Sequence, residues 1–308
     1  MKAVRYHDYG GSEVLNHEEA ARPVPGAGQV LVRVAGTSFN PIDAAIRGGA
    51  MREVFPVEFP HVPGLDVAGT VAELGPGVTN RAVGDAVIAF LPPGTDGAAA
   101  EYALVPAEAL ADAPRTVDLA DAAALPAVGL TAWQSLFELA EVQAGQRVLI
   151  NGAGGGVGGY AVQLAKGAGA VVTATVSERG ADRVRGFGAD EIIDYRATPV
   201  TKIAGSFDVV VNLAPTSPED TAALVDLVAD GGVFVSSTTP GPEHPGREVR
   251  VTHVYVRPEA EQLARLAEQV DAGKLRIDVA QRRPLADLAA VHDEAASGTL
   301  AGKTVLIP

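Results

Sequence analysis

The segment Arg147 to Val176, RVLINGAGGGVGGYAVQLAKGAGAVVTATV, restricts the fold more than any other part of the chain. Arg147 to Asn151 is a short apolar run ended by a turn residue, as in a strand buried on both faces. Val157, Ala161, Leu164 and Ala165 follow at helical spacing within Val157 to Lys166, and Ala170 to Val176 is a second strand-like run. Strand, helix and strand in that order make a βαβ unit, which requires a parallel sheet with a helical crossover.

The turn between the first strand and the helix holds Gly152, Gly154, Gly155, Gly156, Gly158 and Gly159. Residues without Cβ let a backbone turn sharply and approach a pyrophosphate, whose charge is met by free N–H groups at the start of the following helix. Against the dinucleotide pattern GxGxxG the best register is Ala153, Gly155, Gly158, with the first glycine replaced. The candidate phosphate-binding stretch is therefore Ala153, Gly154, Gly155, Gly156, Val157 and Gly158. An acidic residue normally ends the second strand where a ribose hydroxyl is held; here Ser177, Glu178 and Arg179 follow it. A neutral serine and a forked guanidinium suit a 2′-phosphate, which favours NADPH over NADH, with Glu178 discordant.

The 308 residues, 47% hydrophobic, suffice for two packed domains. No leader and no run of roughly 18 uncharged apolar residues is present, so the expectation is a soluble cytoplasmic protein without a membrane span. A net charge of −14 with no basic stripe argues against a nucleic-acid partner. The absence of cysteine removes disulfides, thiolate nucleophiles and thiolate zinc sites, and the six histidines show no metal-ligand spacing. Gly36 to Asn40 lacks the last glycine of a serine-hydrolase elbow.

Before the βαβ unit the pattern is short and β-like. Met1 to Arg5, Gln29 to Val34, Gly64 to Leu74 and Ala86 to Phe90 are strand candidates separated by Gly and Pro, consistent with a barrel-like domain. Beyond the unit, Glu191 to Tyr195, Asp208 to Leu213, Gly232 to Ser237 and Val249 to Val256 read as strands. Helix Pro218 to Ala229 lies among them, and the long amphipathic helix Pro258 to Ala272 follows. That alternation predicts an α/β, doubly wound parallel sheet. Thr238 to Arg247 reads as an exposed connection, and Lys303 to Ile307 as a terminal strand returning to the first domain.

Several blocks in matching order carry a wider likeness: VAGTSFNPIDAAIRGG from Val34, PGLDVAGTV from Pro63, GDAV from Gly84, AEYALVP from Ala100, ALPAVGLTAW from Ala124, and the closing GKTVLIP. Together they resemble the zinc-independent, quinone oxidoreductase-like (zeta-crystallin-like) branch of the medium-chain dehydrogenase/reductases. The resemblance implies a GroES-like catalytic domain of residues 1–117 and 273–308, and a Rossmann NADPH-binding domain of residues 118–272. It places Asn40, Leu65 and about Val128 where zinc-dependent relatives carry metal ligands, and none of these is a thiolate or imidazole.

The chemistry so implied is metal-free hydride transfer from the nicotinamide to an acceptor that is already electrophilic, a quinone or an α,β-unsaturated carbonyl. By resemblance, Asn40 and Thr131 line the nicotinamide end, and Ser177, Arg179 and Tyr195 match the adenosine-phosphate end. Taken alone, Asn40 reads equally well as an Asx turn before Pro41. Asp43 is assigned a structural role, and Tyr6, Phe39, Phe55, Phe59 and Phe90 are candidates for an apolar acceptor wall or the core. Asn212 stands where the family has an acidic residue, beside the cofactor, which keeps open a non-catalytic NADPH-binding sensor. A dedicated enoyl reductase of a biosynthetic pathway is the other alternative, and the last Rossmann strand, about Val249 to Val256, implies a homodimer.

Overall fold

Val209, Val210 and Val211, like Val148, Leu149 and Ile150, are wholly buried, so their strands need cover on both faces. In the computed structural model, which describes residues 1–243 and 246–308, they form the middle of a parallel sheet. The chain divides into two compact units: Met1–Ala127 with Arg257–Gly273 and Ile277–Pro308, and Val128–Val256 with Lys274–Arg276.

The second unit is a six-stranded parallel sheet in the order Glu191–Asp194, Val171–Val176, Arg147–Asn151, Phe207–Asn212, Val228–Ser236, Arg250–His253. Helices Gly156–Gly167, Glu178–Gly186 and Pro218–Asp226 pack on the strands they connect. The chain runs outward from Arg147–Asn151 on one side, then crosses to its other side to make Phe207–Asn212. The doubly wound expectation is met, and the reversal creates a switch point at the carboxyl ends of these two strands, where such sheets bind ligands.

Register there sets a row of polar residues across the sheet. Thr175 is opposite Asn151, Asn151 opposite Asn212, Asn212 opposite Ser236, and Ser236 opposite His253. One expected boundary moves: the helix from Pro218 stops at Asp226, and the strand expected from Gly232 already begins at Val228. Val228 pairs with Phe207, and the register then shifts before Val233 pairs with Val209. The expected edge strand Val249 to Val256 shortens to Arg250–His253. His244 and Pro245 of the expected connection lie outside the described residues.

The first unit is built on alternation. Val30, Val32 and Val34, Val67 and Val71, Val87 and Ala89, and Ala103 and Val105 fill one core from four antiparallel strands. Strand Gln29–Ser38 pairs with Asp66–Leu74 along one edge. On its other edge it meets Tyr102–Pro106 first and the terminal strand Thr304–Ile307 last, through Ser38 with Val305 and Thr37 with Leu306. The terminal strand therefore does return to this unit.

Two features depart from the sequence reading. Residues 41–47 form a helix, Pro41–Arg47, with Asn40 as its N-cap residue and Pro41 in its first turn. The long helix, Ala260–Asp271, groups with the first unit, where the resemblance had placed it with the nucleotide-binding domain. It buries Leu263, Leu266, Ala267 and Val270, and at its end Asp271 Oδ1 accepts the N–H groups of Arg115 at 2.7 Å and Thr116 at 3.0 Å.

Candidate active site

At the switch point of the second unit lies a groove of about 670 Å³. Gly152 and Gly154 line it with Gly155, the second-strand end Thr175 to Ser177, Tyr195, and the loop Leu213 to Thr216. Its glycine turn is shaped by sterics. Gly152 has φ +90°, and a Cβ there would lie 3.0 Å from Ala214 N. At Gly158 a Cβ would lie 2.4 Å from the Gly152 carbonyl oxygen, so the helix packs directly against the turn. Gly155 is the N-cap residue, and the first-turn N–H groups of Gly156, Val157 and Gly158 have no partner within the helix. This cradle fits the pyrophosphate of a dinucleotide.

The predicted cofactor residues separate by position. Gly154, Gly155, Ser177 and Tyr195 line the groove, while Ala153 is buried beneath it and donates its N–H to Thr175 O at 3.0 Å. Ser177 is the N-cap residue of helix Glu178–Gly186, but its hydroxyl makes no cap bond. Arg179 is exposed in the first turn of that helix and has no ion-pair partner among the described residues. Sequence reasoning missed Arg183, whose guanidinium donates to Gly154 O at 2.5 Å and so ties this helix to the glycine turn.

Asn212, expected beside the cofactor, is wholly buried and does not itself line the groove, although its neighbours Asn151, Leu213 and Thr216 do. Its Oδ1 accepts from Asn151 Nδ2 at 2.8 Å and its Nδ2 donates to Thr216 Oγ1 at 3.0 Å. Asn151 Oδ1 in turn accepts from Thr175 Oγ1 at 2.6 Å. The Asn212 amide thus accepts on one side and donates on the other, a pair of roles that an ionised carboxylate, which only accepts, could not fill. The interaction pairs the two strand ends and anchors the loop that walls the groove.

In the first unit, Asn40 lies in a second buried polar cluster. Its Oδ1 accepts from Lys303 Nζ at 2.6 Å, and its Nδ2 donates to Asp66 Oδ2 at 2.8 Å. Lys303 Nζ also donates to Asp66 Oδ2 and to Phe39 O, each at 3.2 Å. Asp66, fully buried, accepts Ser38 Oγ on the same oxygen and Ala127 N on the other at 2.7 Å. Neither Asp66 nor Lys303 was singled out from sequence, although both stand in family-like blocks, PGLD and GKTV.

Asp43 takes the structural role expected of it, its Oδ2 accepting Asn40 N at 2.8 Å. Burial pushes its carboxyl up from 3.8 to about 7, with Asp66's charge adding to the rise and the Asn40 N–H and Lys303 opposing it. Four residues on, Arg47 Nη1 donates to His292 Nδ1 at 3.0 Å. A guanidinium can only donate, so this imidazole is neutral with its proton on Nε2. Burial and the Arg47 charge push His292 down from 6.5 to about 3.

Of the candidate aromatic wall, Tyr6, Phe39 and Phe90 are buried in the unit, and Phe59 is 40% exposed, edge-on to Tyr6 and Tyr9. Thr131 is buried in helix Pro126–Trp133 of the second unit, and its carbonyl accepts Ser135 Oγ at 2.7 Å. Among the described residues no group of three or more His, Asp or Glu is placed to hold a metal ion, and no helix is long and apolar enough to cross a membrane.

Residues 26–115 match the alcohol dehydrogenase GroES-like domain, and residues 187–306 match the zinc-binding dehydrogenase family model. A chloroplast envelope quinone oxidoreductase homolog from Arabidopsis thaliana is 33% identical, over 100% of this chain and 98% of its own. The NADPH-dependent alkenal/one oxidoreductase of Arabidopsis chloroplasts is also 33% identical, over 100% of this chain and 80% of its own. Among solved structures, the quinone oxidoreductase of Coxiella burnetii superposes with a TM-score of 0.89 at 29% identity, covering 100% of this chain and 99% of that one.

Proposed function

Because the chain belongs to the quinone oxidoreductase-like medium-chain dehydrogenase/reductases and is an NAD(P)H-dependent oxidoreductase of that kind, we propose that it uses NADPH to reduce a quinone or an α,β-unsaturated carbonyl. The observation carrying the cofactor choice is the uncommitted Ser177 hydroxyl in the groove with the unpaired Arg179 guanidinium two residues on. Both can turn to a 2′-phosphate without first breaking another bond. When bound, the cofactor supplies hydride from its nicotinamide C4.

The chain's own residues bind and orient. First-turn N–H groups of Gly156, Val157 and Gly158 meet the pyrophosphate, and Tyr195 offers its hydroxyl at the adenosine end. Asn212 holds the groove wall through Thr216. At the reacting end the resemblance assigns Asn40 and Thr131 to line the nicotinamide, and we take the Asn40 amide to face the acceptor stacked on it. An amide N–H there would stabilise the oxygen on which enolate or phenolate charge develops, and solvent would supply the proton that completes reduction. We assign the edge strand Arg250–His253 to a homodimer contact, since an uncovered strand edge invites pairing with a second copy.

The test is to follow nicotinamide absorbance with NADPH or NADH and a panel of quinones, enones and enoyl thioesters. Turnover with NADPH on quinones or enones is the expected result. Tight NADPH binding with no turnover on any acceptor would instead favour a sensor, and turnover confined to enoyl thioesters a dedicated enoyl reductase.

A further inference from the structure

We propose that Lys303 is a positioning residue for the reduction step, acting by fixing the orientation of the Asn40 amide. The two orientations of an asparagine amide differ by a half-turn and have the same intrinsic energy, so partners decide between them. Around Asn40 the partners are charged and cannot exchange roles. Oδ1 faces an ammonium, which only donates, at 2.6 Å, and Nδ2 faces a carboxylate, which only accepts, at 2.8 Å. A flip would set N–H against ammonium and oxygen against carboxylate, among side chains that are all buried.

The same geometry excludes Lys303 as the proton donor to an acceptor. Its three N–H bonds are directed to Phe39 O, Asn40 Oδ1 and Asp66 Oδ2, and its side chain is 5% exposed. Asp66 is equally occupied, with donors on both oxygens. Asn40 alone retains capacity, because the nearest acceptor for its second N–H is Ser38 O, at a long 3.5 Å. Lys303 withdraws charge through Oδ1 and makes that remaining N–H a stronger donor.

Delivery of Lys303 is a consequence of sheet register. It lies 263 residues from Asn40 in sequence and arrives because Thr304–Ile307 pairs with the end of Gln29–Ser38, with Phe39 N donating to Thr304 O at 3.1 Å. The inference rests on the reading above that Asn40 faces the acceptor.

The experiment is a double-mutant cycle in the full-length protein. Lys303→Met alone would strand a buried Asp66 charge, so the first arm is D66N/K303M, which removes both charges together; the second is Asn40→Ala; the third combines them. D66N/K303M is expected to lower kcat about 10- to 100-fold with NADPH affinity unchanged, while Lys303→Arg retains most of kcat. Added to Asn40→Ala, the charge-removing pair should lower kcat no further. Multiplying losses in the triple variant, or a wild-type kcat in D66N/K303M, overturns the positioning role while leaving the assigned activity intact. A wild-type protein that turns over no acceptor overturns both.

Discussion

Asn151 Nδ2 donates to Asn212 Oδ1 at 2.8 Å, linking the carboxyl ends of the two strands between which the sheet order reverses. Asn151 lines the groove assigned to the cofactor, and Asn212 is wholly buried. The Asn212 amide accepts from Asn151 on one strand and donates to the Thr216 hydroxyl on the loop.

Asn212→Ala leaves Asn151 Nδ2 and Thr216 Oγ1 without that partner inside the fold. The expected loss is about 1–3 kcal/mol, read as a lower denaturant midpoint at unchanged slope. An unchanged midpoint would show that the amide contributes nothing to stability.

Glycines of one helix should behave oppositely. Gly158→Ala places Cβ 2.4 Å from Gly152 O and 2.5 Å from Ala153 Cα, and is expected to weaken NADPH binding at least about tenfold, since 1.4 kcal/mol of strain suffices. Gly167→Ala, at the last turn, meets nothing within 4 Å and should stabilise by about 0.5–1 kcal/mol. Titration calorimetry and thermal melting of the two variants compare them directly.

Arg179→Ala should weaken NADPH by about 1–3 kcal/mol more than NADH, because only the former has a 2′-phosphate to lose. Equal weakening of both cofactors would remove Arg179 from the specificity argument.

Asp43 and His292 give stability a pH dependence of opposite sign. Asp43, raised from 3.8 to about 7, holds its proton more tightly when folded, so its contribution is full below pH 3.8 and is lost as pH rises through about 7. His292, depressed from 6.5 to about 3, favours folding above 6.5 and loses that contribution as pH falls toward 3. Asp43→Asn, which keeps an acceptor for Asn40 N, should flatten the decline toward pH 7; His292→Gln, which can still accept from Arg47, should flatten the acid side. Melting temperatures across pH 3.8 to about 7 would show it.

What could be read in the sequence was local. The βαβ unit was legible because strand, glycine turn and helix each carry their own pattern within 30 contiguous positions of Arg147 to Val176. Helix Pro41–Arg47 is too short for a periodic signal, although Asn40, Pro41 and Asp43 supply a start signal that outweighs the isolated Asx-turn reading. The Lys303–Asp66 contact spans 237 residues, and no residue pattern states which lysine meets which aspartate. Arg183 was hidden likewise, since an arginine on an exposed helix face looks the same whether or not it reaches back to a carbonyl.

The polar row from Thr175 through Asn151, Asn212 and Ser236 to His253 bears on how the chain assembles. Valines and isoleucines buried on both faces fit their neighbours almost as well after a slip along the strand, so the apolar pattern discriminates poorly between alignments. A slip of Phe207–Asn212 by two positions would set Asn212 beside Leu149 and bury its amide unpaired. Each such loss costs about 1–3 kcal/mol, so the row acts as an alignment mark that rejects misregistered sheets during folding.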